Sequence, residues 1–257
     1  MKYSIVTKFD DKSNELASIL KSKIKFEYDE FNPELVICVG GDGTTLSAIH
    51  KYSDKIENIK FISFNAGHLG FFSSFDCDEI NEFIEYIHKS EFTFDELNLI
   101  EYRIDTFSDE RNVGYAVNEI TIVNPRRTLI LDAYINGKHF EHYRGTGMCL
   151  STAVGSTGYN KSLHGAVVLP SVEMFQMTEI ASINSNLYHT LSSPLILSKN
   201  DVVELTSESN KELFITADSI SLSFKDFKSI RVNLSDKKVK LINRNIDYIE
   251  RIKKNFI

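Results

Sequence analysis

The chain has 257 residues, enough for one large domain or two modest ones with separate cores. Its 42% hydrophobic and 25% charged content is that of a soluble globular protein, and a formal charge of −7 speaks against bulk nucleic-acid binding, which needs a basic patch. No apolar run has the length of a membrane span or the form of a signal peptide, so the expectation is a cytoplasmic protein without nucleic-acid or membrane partners.

Residues 2–8 alternate around Tyr3, Ile5 and Val6 and predict a first strand. Ser13 is placed to cap a helix whose apolar face is Leu16, Ile19, Leu20 and Ile24. Phe31-Asn32-Pro33 breaks the chain before a buried strand at 35–39, a glycine turn at 40–44, and a helix from Thr44 or Thr45 carrying Leu46 and Ile49. A further strand at 59–64 ends in a second glycine-bearing turn at 65–72. Asp76 or Asp78 then opens a helix with Ile80, Phe83, Ile84 and Ile87 inward. Strands alternating with helices imply a Rossmann-like parallel sheet, with ligands beyond the carboxyl ends of its strands, where both glycine turns lie.

From residue 101 the pattern becomes mostly β, with strands at 102–107, 114–123, 129–135, 138–144, 202–206, 213–224 and 230–234. Asn136-Gly137 marks a two-residue hairpin that sets Ala133 opposite Phe140, and a short helix is expected over 172–182. Ile246, Ile249, Ile252 and Phe256 stand at helical spacing, the mark of a terminal helix that returns to the first domain. The expected organisation is an α/β domain at 1–100, a β-rich domain at 101–236 and a returning segment at 237–257. Cys38, Cys77 and Cys149 are too scattered for a disulfide framework or a zinc site. His139 and His142 are expected on opposite faces of a strand, which makes them a poor metal pair.

Gly40-Gly41-Asp42-Gly43-Thr44 is the centre of the reading. Glycines permit positive φ and bring a ligand close to bare N–H groups, and a helix start behind them suits phosphate. Asp42 conflicts with that setting unless it binds a metal, takes a proton, or accepts a hydroxyl hydrogen bond. Neither standard nucleotide fingerprint is present, since the P-loop Lys-Ser/Thr and the third glycine of the dinucleotide motif are absent.

Three other places carry polar groups with a choice of roles. Asn118-Glu119 interrupts an apolar strand and is either exposed polarity or a holder of ribose hydroxyls. The segment Arg144-Gly145-Thr146-Gly147 through Ser162 combines glycines, hydroxyls, two cations and Tyr159, a composition apt for phosphate and an aromatic ring. Asp218 interrupts a strand as either a hairpin acid or an active-site acid.

In order along the chain, Gly41-Asp42-Gly43-Thr44, Gly67-His68-Leu69-Gly70-Phe71, Asn118-Glu119, and Ser151-Thr152 with Gly155-Ser156-Thr157-Gly158-Tyr159 resemble the motifs of bacterial NAD kinases. The resemblance implies phosphorylation of the adenosine-ribose 2′-hydroxyl of NAD to NADP, with Asp42 as catalytic base. It gives Gly41, Gly43, Thr44, Gly67, His68, Phe71, Phe72, Asn118, Glu119, Arg144, Thr146, Ser156, Thr157, Gly158, Tyr159, Ser162 and Asp218 to nucleotide binding. ATP or inorganic polyphosphate is the implied donor, Mg²⁺ is held by the donor phosphates rather than by protein ligands, and the implied assembly is a homotetramer. The chain departs from the family at Thr146, where an acid is usual, at Ala153-Val154, and at Ser219. Two rival readings follow: a lipid kinase of the diacylglycerol type, sharing only the glycine turn, or a catalytically impaired NAD(P)-binding protein.

Overall fold

Every residue of the apolar run at 35–39 is buried, as a strand covered on both faces must be. The computed structural model describes residues 1–65, 70–207, 213–224, 226–244 and 247–257. The chain begins with β1 (Lys2–Thr7), α1 (Asp11–Lys23), β2 (Glu27–Tyr28), β3 (Leu35–Gly40), α2 (Asp42–Lys51), β4 (Lys60–Asn65), β5 (Ser73–Asp76) and α3 (Ile80–Lys89). It continues with β6 (Phe94–Thr106), β7 (Arg111–Ala116), β8 (Glu119–Val123), β9 (Leu129–Ile135), β10 (Lys138–Gly145), β11 (Gly147–Thr152) and the single turn α4 (Tyr159–Ser162). Last come β12 (Met174–Ile180), β13 (Leu195–Ser198), β14 (Val202–Thr206), β15 (Leu213–Ala217), β16 (Ile220–Phe224), β17 (Phe227–Ile242) and α5 (Tyr248–Phe256). Two compact units result, Met1–Leu97 with Lys237–Ile257, and Asn98–Asp236.

In the first unit the parallel strands run in the order β2-β1-β3-β4-β5, and the end of β17 lies parallel to the start of β4. Leu16 and Leu20 of α1 and Phe83 and Ile87 of α3 share one core with Ile37, Val39 and Phe64. Phe83 meets Phe64 and Phe75 edge-on with centroids 5.0 and 5.1 Å apart, so Phe83→Ala costs about 3–5 kcal/mol. Helix starts differ from expectation because caps compete locally. Asp10, not Ser13, caps α1, its Oδ1 accepting from Ser13 N at 2.8 Å. The second helix opens at Asp42 instead of Thr44 or Thr45, and α3 starts at Ile80 behind Glu79.

The terminal helix belongs to this unit, but its buried member is Arg251 at 5% exposure, while Ile249 is 56% exposed. Tyr248 and Phe256 turn toward Phe71, at centroid distances of 5.7 and 5.5 Å. Ile246 lies outside the described residues.

The second unit is antiparallel. One sheet runs β13-β12-β11-β8-β15-β16; a second group pairs β10-β9-β14-β17, and β6 pairs with β7. Ile120, Leu131, Tyr143, Phe175, Ile215 and Phe227 lie in its core. Where a helix was expected over 172–182, the chain forms β12, paired on both sides. A strand buried on both faces loses its period of two and reads like a buried helix.

At the 136–137 hairpin both residues have positive φ, 52° and 76°, as a type I′ turn requires. A bulge between His139 and Glu141 shifts the pairing, so Ala133 faces Glu141 and not Phe140. The bulge also cancels the alternation expected of the two histidines. His139 Nε2 and His142 Nδ1 both reach Asp132 Oδ1, at 3.1 and 2.9 Å. Their hydrogen bonds and proximity offset burial and hold the Asp132 carboxyl below its usual range.

Candidate active site

In the first unit β3 delivers its carboxyl end into the glycine turn, and α2 starts at once. Gly40 alone of the three turn glycines has positive φ, at 157°, and a Cβ there would sit 2.2 Å from Thr44 Oγ1. A Cβ at Gly41 or Gly43 would meet nothing within 4 Å. Their bareness therefore serves the space outside the chain rather than packing. A cavity of about 380 Å³ occupies that space, lined by Thr7, Lys8, Gly41, Gly43, Thr44 and Ser47. The amides of Thr44 and Thr45 close onto Gly41 O, so the donors preceding any intrahelical acceptor are those of Asp42 and Gly43.

Asp42 stands at the first helical position, where the helix dipole favours negative charge. Its Oδ2 accepts from Phe71 N at 2.9 Å and its Oδ1 from Phe72 N at 3.0 Å. Amides of the second turn thus hold the carboxylate that conflicts with a phosphate-binding first turn. Gly70 makes room for it, because a Cβ there would lie 2.2 Å from Asp42 Oδ1. Arg251 of α5 donates through Nη1 to the Phe71 carbonyl. Phe72 is buried and Phe71 half-buried, while Gly67 and His68 lie outside the described residues.

In the second unit Asp218 is a hairpin acid, the first of the two readings left open for it. It occupies the β15–β16 hairpin with φ 50°, and its carboxylate accepts from Val117, Asn118 and Glu119 N at 2.8, 2.7 and 3.2 Å. Asn118 lies in the bend between β7 and β8, not inside a strand. Thr152 Oγ1 donates to Val117 O at 2.6 Å, and Thr152 N to Asn118 O at 2.9 Å. A Cβ at Gly155 would fall 2.0 Å from Asn118 O, so that glycine lets the 152–158 segment settle on the bend.

Glu119 faces Gly158, whose Cβ position is 3.1 Å from Glu119 Oε2 and 3.7 Å from Asn118 Nδ2. Oε2 is shut from solvent and has no hydrogen-bond partner among the described residues. Burial first, then the charge of Asp218, push the Glu119 carboxyl up to about 8, against the Tyr159 backbone hydrogen bond that lowers it. At neutral pH it is a protonated acid, able both to donate and to accept. Tyr159, next to Gly158 in the chain, is 44% exposed.

Other expected residues are placed differently. The Ser156 hydroxyl is buried and spent on Val168, accepting from its N at 2.9 Å and donating to its O at 3.2 Å. Thr157 Oγ1 donates to Val154 O at 3.2 Å, and Ser162 is exposed beside a cavity of about 480 Å³. Ser151, near one end of β11, pairs with Glu119, whereas Thr146 precedes the other end, roughly 17 Å away at about 3.4 Å per residue. Arg144 lies there too, its guanidinium 4.0 Å above the Tyr188 ring. Within one chain these two are not brought to the Asn118–Glu119 group. The sequence placed Thr152 in a motif without giving it a role, and it did not single out Arg251. Arg251 gave one signal, a cation set between Ile249 and Ile252 in an amphipathic stretch.

The model of the ATP-NAD kinase N-terminal domain matches residues 2–92, and that of the ATP-NAD kinase C-terminal domain matches residues 117–244. NAD kinase 1 of Listeria innocua is 38% identical over all of this chain and 99% of its own length, and NAD kinase 1 of Bacillus cereus is 36% identical over the same shares. Yeast NADH kinase complexed with NADH has the same fold, with a TM-score of 0.86 at 19% identity, covering all of this chain and 87% of that one. An NAD kinase from Archaeoglobus fulgidus in complex with ATP gives 0.75 at 21% identity, covering all of this chain and 97% of that one. The lipid-kinase reading gains no support from these matches. With both domain models matched and full-length relatives above 35% identity, the chain belongs to the ATP-NAD kinase family.

Proposed function

We propose that this chain transfers the terminal phosphoryl group of ATP to the adenosine-ribose 2′-hydroxyl of NAD, giving ADP and NADP. The observation that carries the reading is Asp42, a carboxylate held by two amides at the start of α2, beside a cavity bordered by bare glycines. The 2′-oxygen forms the new bond to the terminal phosphorus as the bridging oxygen of the donor leaves. Asp42 orients the hydroxyl and takes its proton late in a loose transition state.

Gly41, Gly43 and Thr44 cradle donor phosphate at the helix start, and the donor enters as its Mg²⁺ complex. Mg²⁺ neutralises charge on the donor phosphates when bound. Among the described residues there is no group of three or more His, Cys, Asp or Glu that could hold a metal. Asn118 and Glu119 hold the dinucleotide, Glu119 through the oxygen left without a partner. Phe71, Phe72, Gly158, Tyr159 and Ser162 belong to the same binding role, and Asp218 acts by holding the Asn118–Glu119 bend.

Three wider expectations complete the reading. Inorganic polyphosphate is the alternative donor to ATP, the protein works in the cytoplasm, and it assembles as a homotetramer. The first is compatible with a donor cradle made of backbone groups rather than of base-specific contacts. No helix among the described residues is long and apolar enough to cross a membrane. The distance of Arg144 and Thr146 from Glu119 within one chain suits a site to which a second copy contributes. The test is NADP formation by the purified protein with NAD and Mg²⁺, donor varied between ATP and polyphosphate. NADP with ATP is expected; NAD binding with no NADP under either donor contradicts the reading.

A further inference from the structure

Arg251 is a buried cation whose side chain serves no surface ion pair in the described structure. It projects from α5, which Asp247 caps through Oδ1 to Ile249 N at 2.9 Å. The residue is only 5% exposed, and its guanidinium donates to the carbonyl of Phe71. The amide of that same residue, with its neighbour's, holds both oxygens of Asp42. The Phe71 ring is held in turn by Tyr248 and Phe256, one from each end of α5. One peptide plane is thus gripped at its carbonyl by a cation and at its N–H by the acid.

We propose that Arg251 is a positioning residue for Asp42, acting through the Phe71 peptide. The proposal rests on Asp42 being the catalytic base. Three features carry it beyond ordinary packing. A guanidinium placed in a protein interior is costly unless it is well used. Polarising the Phe71 carbonyl strengthens the N–H donor of the linked amide network, so the two bonds on this stretch reinforce each other. Gly70 makes this seat possible, since the space a Cβ would take is filled by the carboxylate itself. Small misplacement of a reacting group lowers the rate steeply, and α5 therefore controls turnover without touching substrate.

The test replaces Arg251 by methionine, which fills the volume and suits a buried position. In R251M, kcat is expected to fall at least about ten-fold with KM for NAD within about two-fold, and the amides of Phe71 and Phe72 to exchange hydrogen at least about ten-fold faster. Arg251 also lines a cavity of about 640 Å³, through which added guanidinium is expected to restore part of the lost turnover in R251A. Should R251M not fold, R251K carries the same test, with both effects expected near three-fold because one ammonium replaces the planar fork. Wild-type exchange at Phe71 and Phe72 in these variants overturns the clamp. Faster exchange with wild-type turnover keeps the clamp but overturns its catalytic role, and a parallel D42N assay then shows whether the base assignment itself has failed.

Discussion

Asp218 and Glu119 are tied together twice: Asp218 N donates to Glu119 O at 2.9 Å, and Glu119 N returns to Asp218 Oδ1 at 3.2 Å. The acid in the hairpin thereby fixes the bend that carries Asn118 and Glu119. Replacing it by alanine orphans three backbone donors, each worth about 1–3 kcal/mol when buried and unpaired. Asp218→Ala is expected to lower the thermal midpoint and weaken NAD binding together, while Asp218→Asn, which keeps an acceptor and tolerates positive φ, loses less of both. Calorimetry on the two variants checks the order.

The elevated Glu119 carboxyl predicts a pH dependence of stability. Its folded value, about 8, lies above the ordinary value of 4.5, so between those limits the folded state holds a proton that the unfolded state has released. Stability contributed by this group is complete below about pH 4.5 and is lost as pH rises toward 8. Glu119→Gln removes the dependence. The melting temperature of wild type is expected to fall relative to the variant across that window, and a constant difference from pH 4.5 to 8 contradicts the placement of the buried carboxyl.

Gly70→Ala tests the seat of Asp42 without altering the acid. The new Cβ would stand 2.2 Å from Asp42 Oδ1, so the carboxylate must leave its two amides. Turnover is expected to drop at least about ten-fold, by loss of positioning, with the fold retained in circular dichroism. Wild-type kcat in G70A contradicts the geometry.

On the resemblance, Thr146 is proposed to stand in place of an acid that would contact nucleotide. Thr146→Asp is therefore expected to tighten NAD binding, measured by isothermal calorimetry. Unchanged affinity counts against a nucleotide contact at this position.

Much of this architecture is legible in the sequence because its signals are local. The buried run at 35–39, the glycines after it and the Asn136-Gly137 turn each constrain φ or burial within a few residues, and each forms as expected apart from its exact register. What escaped depends on partners distant in the chain or on features periodicity does not encode. Strand β12 is covered on both faces and loses the alternation that would distinguish it from a helix. The bulge at His139–Glu141 turns two histidines expected apart toward one aspartate. Asp42 could be singled out as misplaced among amides, but the amides that hold it come from 29 and 30 residues later, and the cation behind them from 180 residues later than Phe71. Spacing alone does not report such long-range hydrogen bonds.

The assignment of Asp42 as the group that receives the 2′-hydroxyl proton is tested most directly by the steady-state kinetics of Asp42→Asn with NAD and Mg-ATP, alongside NAD titration of the same protein. A fall in kcat of at least about 100-fold with NAD affinity largely kept is the predicted result. Turnover near that of wild type contradicts it.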